Sequence, residues 1–263
     1  MEGVIFELQR GYMADLLIEK TRTVWVLTLN RPEKRNALND ELVAGLKNAL
    51  READANDEIA AIVIRGAGKD FCSGADLSSL QKIAAASYEE NLEDARSLAE
   101  LFAMIRSAKV PVIAGVHGRA LAGGCGLATA CDLIVSTRSA KFGYPEVKIG
   151  FVPAIVMAFL RRNISEKRAF EMATQGFEFS AEYAHKIGLV NRLADEETFE
   201  AAVMEYAAVY ETVSRSAVRL SKSLLYQMDS LPFAEAAELG SRVNAEARMT
   251  EDCKKGIARF LDR

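Results

Sequence analysis

Short, uninterrupted apolar runs are the feature that most constrains the fold of this chain. Residues 59–64 and residues 110–116 contain no charged side chain, a pattern typical of strands that are covered on both faces. A β-branched run at 24–29 and a shorter run at 133–135 predict two further strands. Helical patterns separate these runs, so the sequence predicts βαβ units with parallel strands, which is an α/β fold.

Helical patterns lie between the predicted strands and are the only patterns in the last part of the chain. Asn39 or Asp40 is placed to cap an amphipathic helix, and residues 89–108 predict a second helix. From about Ala154 onward the pattern indicates helices alone, over the ranges 196–211, 216–228 and 233–249. No Pro/Gly/Ser-rich linker intervenes, so we expect one α/β core followed by a helical C-terminal region that packs on it or on a neighbouring subunit.

Composition excludes several classes of protein. The 263 residues are 50% hydrophobic, with a formal net charge of −4, so there is no basic field to attract nucleic acid. No apolar run approaches the about 18 residues that a membrane span needs. The four cysteines form no CxxC pair and no cluster with metal-ligand spacing. We therefore expect reduced thiols in a cytoplasmic protein without a metal site.

Residues 118–126, with the sequence GRALAGGCG, are the most distinctive segment. Gly123 and Gly124 precede a predicted small-residue helix, and a helix N-terminus offers free N–H groups and a partial positive charge. Glycine lets a ligand approach that backbone closely. The segment contains no GxGxxG, and residues 66–69 lack the other elements of a Walker motif. The alternative interpretation is that these glycines only allow a small helix to pack tightly on a sheet.

Several segments in order resemble the enoyl-CoA hydratase/isomerase (crotonase) family. The matching segments are 30–39, 71–77, 118–126, 142–146 and 251–260. The resemblance covers nearly the whole chain from about Leu16. It implies a crotonase-like spiral of ββα units over residues 13–200 and a C-terminal helical trimerisation region over 201–263, which gives trimers or hexamers. Residues 1–12 would be an N-terminal extension.

The resemblance assigns proton transfer to Glu146, which matches the family's second catalytic glutamate. An ordinary carboxylate is a weak base toward a thioester α-proton. Burial against Phe142, Tyr144 and Phe151 would raise the pKa of Glu146 and its strength as a base. A solvated loop glutamate is the alternative for an arbitrary residue of this type, but the surrounding motif favours catalysis.

The resemblance also implies how substrate is held. The backbone N–H groups of Ala75 and Gly123 match the two donors that stabilise the thioester oxygen as it gains charge. Further substrate contacts are expected at Lys34, Arg35, Ala37, Gly74, Asp76, Leu77 and Gly124. Lys34 and Arg35 could pair with CoA phosphates, or could lie in a solvated loop. No metal or redox cofactor is implied, because coenzyme A arrives as part of the acyl-CoA substrate.

Gly126 stands where the family's hydratases carry their first glutamate. Hydration places a water between two carboxylates, whereas 3-enoyl-CoA to 2-enoyl-CoA isomerisation needs only one to move a proton from C2 to C4. We expect Gly126→Glu to raise hydration if the missing carboxylate is the only limit. An acid from the helix after the Ala75 loop, at Glu89, Glu90, Glu93 or Asp94, could also replace it. Ala154 stands where dienoyl isomerases carry an aspartate, which disfavours that reaction.

Hydration and isomerisation therefore remain equal candidates, and other activities stay open. A decarboxylase or thioesterase could use the same oxyanion site. A non-catalytic or RNA-binding protein of this fold is a third class, against which the acidic composition argues. Three further polar residues are weaker candidates for catalysis. We expect His117 to bind backbone, Cys125 to fill space in the core, and Asp132 to serve the start of a strand.

Overall fold

The computed structural model describes residues 9–13, 15–21, 23–74 and 77–262. Within them the strands are β1 (Gln9–Met13), β2 (Leu16–Lys20), β3 (Val24–Leu29), β4 (Ala61–Gly66), β5 (Val112–Val116), β6 (Arg119–Leu121), β7 (Leu133–Thr137), β8 (Lys141–Gly143), β9 (Glu178–Ser180) and β10 (Arg192–Ala194).

The helices of the same part of the chain are α1 (Asp40–Asp54), α2 (Leu77–Ala85), α3 (Tyr88–Ser107), α4 (Gly123–Ala130), α5 (Ala154–Asn163), α6 (Glu166–Gln175), α7 (Ala181–Lys186), α8 (Phe199–Thr212), α9 (Arg215–Gln227), α10 (Phe233–Met249) and α11 (Glu251–Leu261). None of them is both long and apolar enough to cross a membrane.

The larger sheet has the order β1-β2-β3-β4-β5-β7-β10. Its pairs from β3 through β10 are parallel, with Val26 opposite Val63 and Ala114 opposite Ile134, which confirms the predicted parallel α/β core. The edge made by β1, β2 and β3 is antiparallel, a feature that the sequence reasoning did not anticipate. β1 lies within residues 9–13, so part of the proposed extension and the start of the proposed core share one strand.

Both faces of the parallel strands are covered, as their uninterrupted apolar sequences predicted. On one face Ile62 and Ile64 join the large core that contains residues of α1, α3 and α4. On the other face Val63 packs in a second cluster with Phe199 and Val203 of α8. α8 therefore belongs to the sheet's own packing, although the proposed boundary between core and C-terminal region at residue 201 falls inside it.

A smaller sheet with the order β6-β8-β9 lies beside the larger one. The expectation of helices alone after Ala154 is wrong, because β9 pairs with β8 in this sheet and β10 pairs with β7 in the other. Each of these strands has three residues. Such short strands form because distant partners are already in place, and they leave little periodicity to detect.

The last two helices, α10 and α11, bury none of their side chains within the chain. Several of their large apolar side chains face outward, with exposed fractions of 89% for Phe233, 71% for Met249 and 75% for Phe260.

Candidate active site

Backbone hydrogen bonds join the three loops that follow β3, β4 and β5. Ser73 N–H donates to the Arg35 carbonyl at 3.0 Å, and Leu38 N–H donates to the Gly74 carbonyl at 2.7 Å. On the other side of the same loop, Leu121 N–H donates to the Cys72 carbonyl at 3.0 Å. Because parallel strands end at one edge of a sheet, the segments 30–39, 71–74 and 118–126 meet there.

Asn36 holds two of these loops together, and the sequence analysis missed it. Its side-chain oxygen accepts from Arg31 N–H at 2.9 Å, and its amide nitrogen donates to the carbonyls of Ala67 at 2.8 Å and Asp70 at 2.7 Å. The residue is fully buried, with a φ of 54°, a conformation that asparagine tolerates better than most residues. An asparagine followed by a small apolar residue was the available signal.

The N-terminus of α4 faces the loop that contains Gly74. A Cβ on Gly74, whose φ is 95°, would lie 2.8 Å from the Ala122 Cβ and 3.3 Å from the Gly123 nitrogen. A Cβ on Gly124 would lie 2.2 Å from the Cys72 carbonyl oxygen. The glycines at 74 and 124 are therefore required by close backbone approach. The contacts are with a loop and not with a sheet face, and they agree with tight packing of this helix. They leave the oxyanion interpretation open, since Gly123 N–H belongs to the helix's first turn.

Glu146 lies in a 3-10 helix, Pro145–Ile149, just after β8. β8 pairs with β6, and Ala122 N–H donates to the Gly143 carbonyl at 2.9 Å, which brings this segment to the start of α4. Tyr144 fixes the approach further, because its fully buried hydroxyl lies 2.7 Å from Thr129 Oγ1 on α4.

The Glu146 carboxyl group is buried and only partly satisfied. The residue is 9% exposed, and its Oε2 atom has no hydrogen-bond partner among the described residues. Burial raises the pKa of Glu146 above the ordinary glutamate value, because desolvation disfavours the charged form. Phe142 and Tyr144 are buried as expected, whereas Phe151 is 47% exposed. The arrangement provides a strengthened base with one free oxygen.

Gly126 lies one turn into α4, and its N–H donates to the Ala122 carbonyl at 2.9 Å. The space beyond its Cα is occupied. A Cβ built there would lie 2.4 Å from Val156 Cγ2 on α5 and 3.1 Å from Phe102 Cε2 on α3. The simple expectation for Gly126→Glu therefore needs correction, because the substitution meets packed side chains before any carboxylate could reach substrate.

The remaining predicted contacts fall in three groups. Lys34 and Arg35 are exposed on the loop after β3, while Ala37 is buried there. Ala75 and Asp76 lie outside the described residues, and Leu77 is described only as the first residue of α2. Gly74, Gly123 and Gly124 come together as described above.

The three weaker candidates, His117, Cys125 and Asp132, differ in their surroundings. His117 Nε2 lies 3.0 Å from the Gly68 carbonyl oxygen. Cys125 is fully buried, and this burial raises the pKa of its thiol to about 12, which disfavours the thiolate that a nucleophile requires. Asp132 accepts from Lys222 at 2.7 Å and from Tyr226 at 2.5 Å. No cluster of three or more metal-ligating side chains occurs in the described part of the chain.

The acidic residues that could replace a first glutamate are exposed on α3. Glu89, Glu93 and Asp94 lie on its solvent side. Glu90 accepts from the Ser87 N–H at 2.8 Å in a capping box, and this contact lowers the pKa of Glu90. In this structure these four acidic residues therefore cap the helix or face solvent.

Comparison with known proteins gives consistent matches. The sequence model described as enoyl-CoA hydratase/isomerase matches residues 19–263. A Thermus thermophilus protein that carries an enoyl-CoA hydratase name is 39% identical, over 91% of this chain and 95% of its own. The 2,3-dehydroadipyl-CoA hydratase of Escherichia coli is 32% identical, over 95% and 97%.

Solved structures agree with these matches. The crystal structure of an enoyl-CoA hydratase from Mycobacterium smegmatis superposes with a TM-score of 0.91 at 31% identity, covering 95% of this chain and 97% of that one. A Legionella pneumophila structure assigned to the enoyl-CoA hydratase/isomerase (crotonase) proteins has a TM-score of 0.88 at 32% identity, covering 95% and 97%. The predicted crotonase-type fold is confirmed.

Proposed function

The chain belongs to the enoyl-CoA hydratase/isomerase family, and we propose that it acts on enoyl-CoA thioesters with Glu146 as its single acid/base. The observation that carries this proposal is the buried carboxyl group of Glu146, whose Oε2 has no partner among the described residues. A raised pKa strengthens the carboxylate as a base toward an α-proton. The step common to both candidate reactions is proton transfer at C2 of the acyl group.

The negative charge that develops on the thioester oxygen needs fixed donors. Gly123 N–H lies in the first turn of α4, where helical N–H groups have no intrahelical acceptor. The family's second donor corresponds to Ala75, which directly follows the described Gly74. Donors fixed in advance stabilise an enolate without reorganising during the reaction. Coenzyme A enters with the substrate, so we expect activity to survive treatment with a chelator.

Hydration of a 2-enoyl-CoA is the candidate favoured by the relatives, whose names are those of hydratases. Water adds its oxygen to C3, and C2 receives a proton. With one carboxylate, Glu146 would accept a proton from the attacking water as its oxygen adds to C3, and the carboxyl group formed in this way would then give that proton to C2. The charge balances, because Glu146 ends the cycle as it began.

Isomerisation of a 3-enoyl-CoA is the candidate favoured by Gly126. Glu146 would remove a proton from C2, the oxyanion donors would hold the resulting dienolate, and the Glu146 carboxyl group, whose proton exchanges with solvent, would return a proton to C4. The product is a 2-enoyl-CoA, and no water takes part. A site with one buried carboxylate supplies every group that this sequence of steps requires.

Proton NMR in D2O tests the proposal and separates the two reactions. We expect a 3-enoyl-CoA to give 2-enoyl-CoA with deuterium at C2 or C4, and onward formation of 3-hydroxyacyl-CoA identifies a hydratase. Glu146→Gln should abolish both products while acyl-CoA still binds. Near-normal turnover by this variant would remove Glu146 from the mechanism, and release of free CoA without deuterium incorporation would identify a thioesterase.

The assembly that we propose is a trimer or a pair of trimers. Its support is the outward apolar surface of α10 and α11, which includes Phe233, Met249 and Phe260. Light scattering should give a mass of three or six times the chain mass of 28.8 kDa. A mass equal to one chain would contradict the assembly.

A further inference from the structure

The contact between α4 and α5 is built around the missing side chain of Gly126. Val156 Cγ2 lies 2.4 Å from where a Cβ of residue 126 would stand, and Phe102 Cζ lies 3.2 Å from it. Real Cβ atoms do not approach other heavy atoms to 2.4 Å, so Val156 occupies space that any larger residue at 126 would need.

The occupying side chains have little freedom to move. Val156 is 4% exposed and Phe102 is fully buried. Valine is branched at Cβ and has one strongly preferred rotamer in a helix. Phe102 packs edge-on against Phe159 of α5, with ring centroids 5.8 Å apart. The space next to Gly126 is therefore closed by hydrocarbon from two other helices.

We propose that Val156 is a specificity-determining residue: by filling the space at Gly126 it restricts the site to reactions that one carboxylate can perform. This inference rests on the proposed transfer of a proton at C2 by Glu146. A second carboxylate on α4 could orient water only if the Val156 side chain were shortened first. The side chains nearest to a Cβ at position 126 are those of Val156 and Phe102, and neither carries a polar atom that could hold a water, which favours isomerisation over hydration.

The test compares Gly126→Glu, Val156→Ala and the double variant Gly126→Glu/Val156→Ala. Each variant receives a 2-enoyl-CoA and a 3-enoyl-CoA, and NMR measures the ratio of hydration to isomerisation. We expect no rise in this ratio for Gly126→Glu alone. The double variant should show a rise of about 100-fold over Val156→Ala, the scale of a positioned general base. The inference is overturned if the single Gly126→Glu variant gains as much hydration as the double variant.

If the glutamate variants do not fold, a double-mutant cycle of Gly126→Ala and Val156→Ala tests the same contact through thermal stability. Gly126→Ala should lower the midpoint of thermal unfolding in the presence of Val156 and have little effect, or raise it, in the Val156→Ala background. Gly256→Ala is the matched control, because a Cβ at this helical glycine meets nothing within 4 Å. Equal effects of Gly126→Ala in both backgrounds would overturn the inference.

Deuterium exchange at C2 distinguishes failure of this inference from failure of the proposed function. If the unmodified protein catalyses no exchange at C2, the proposed function fails, whatever the stability cycle shows. If exchange occurs and depends on Glu146, but the folded double variant gains no hydration, the proposed function stands and the role of Val156 is refuted.

Discussion

Lys222 provides the strongest test of how the C-terminal helices are attached to the core. Its ammonium group, on α9, is buried and donates to the carbonyls of Ile105 at 3.0 Å and Val110 at 2.8 Å. It also forms an ion pair with Asp132 at 2.7 Å. Lys222→Met keeps most of the side-chain volume and removes all three donors, so the change is electrostatic more than steric.

The expected cost follows from what the substitution leaves behind. Asp132 keeps the Tyr226 hydroxyl at 2.5 Å and the Val112 N–H at 2.7 Å, but it loses its counter-charge at a side-chain exposure of 11%. Breaking one half of a buried pair costs about 3–5 kcal/mol. Two carbonyls also lose a donor, but that loss is part of the same estimate and is not added to it.

The pair as a whole contributes much less than this cost suggests. Burial lowers the pKa of Lys222, and this effect exceeds the opposing attraction of Asp132, so desolvation outweighs the ion pair. Removing both charges in Lys222→Met/Asp132→Asn should therefore cost less than the sum of the single variants. The interaction energy from the cycle should be about 1–3 kcal/mol.

Urea denaturation followed by circular dichroism gives the free energies of unfolding, at one fixed protein concentration. Lys167→Met serves as the control, because Lys167 is exposed on α6 and such a substitution changes stability by about 0.5 kcal/mol or less. A cost below about 1 kcal/mol for Lys222→Met would refute the reasoning. Strict additivity in the double variant would refute the coupling of the two charges.

Three further outcomes follow from other contacts. Turnover should decline as pH falls through the pKa of Glu146, with a midpoint above that of an ordinary glutamate because burial raises this pKa; a pH-rate profile that stays flat down to the ordinary value contradicts this. In the native protein at neutral pH an aromatic disulfide reagent should react rapidly with Cys253 alone, because burial raises the pKa of a thiol such as Cys72 to about 12; rapid reaction of a second thiol would be the opposite result. Gly74→Ala should lower the free energy of unfolding by about 1–3 kcal/mol more than Gly188→Ala, because of overpacking. Both glycines have positive φ, but of the two only Gly74 has a neighbour within 3 Å of the added Cβ. Equal losses of unfolding free energy would place the cost in backbone strain alone.

The sequence predicted correctly those strands, helices and caps that depend mainly on neighbouring residues. The strand expected at 24–29 is β3, and the helix expected at 233–249 is α10. Asn39 caps α1 by accepting from the Leu42 N–H at 2.9 Å, as one of the two proposed caps. The strand expected at 59–64 is displaced by two residues, because pairing with β3 determines where β4 begins.

The features of the candidate site that the sequence did not predict depend on contacts between residues far apart in the chain. Gly126 is apparent in the sequence as a missing carboxylate, but the residue that fills its space is thirty positions later on another helix. The burial of Glu146 likewise depends on the pairing of β8 with β6 and on Tyr144 reaching Thr129. The placement of Gly74 beside α4 needed both loops to be positioned first. The role of Ala75 stays a prediction, since it lies outside the described residues.

The side chain of Asn36 has a consequence for how such a site can change. Its amide oxygen accepts from Arg31 within the loop after β3, and its amide nitrogen donates to two carbonyls of the loop after β4. Loops ordinarily tolerate insertions and deletions, but a residue added between the partners of this link would move both bonds between the loops out of register together. The lengths of the two loops are therefore fixed as a pair. A change in the shape of this region is therefore left to the replacement of side chains, without a change in loop length.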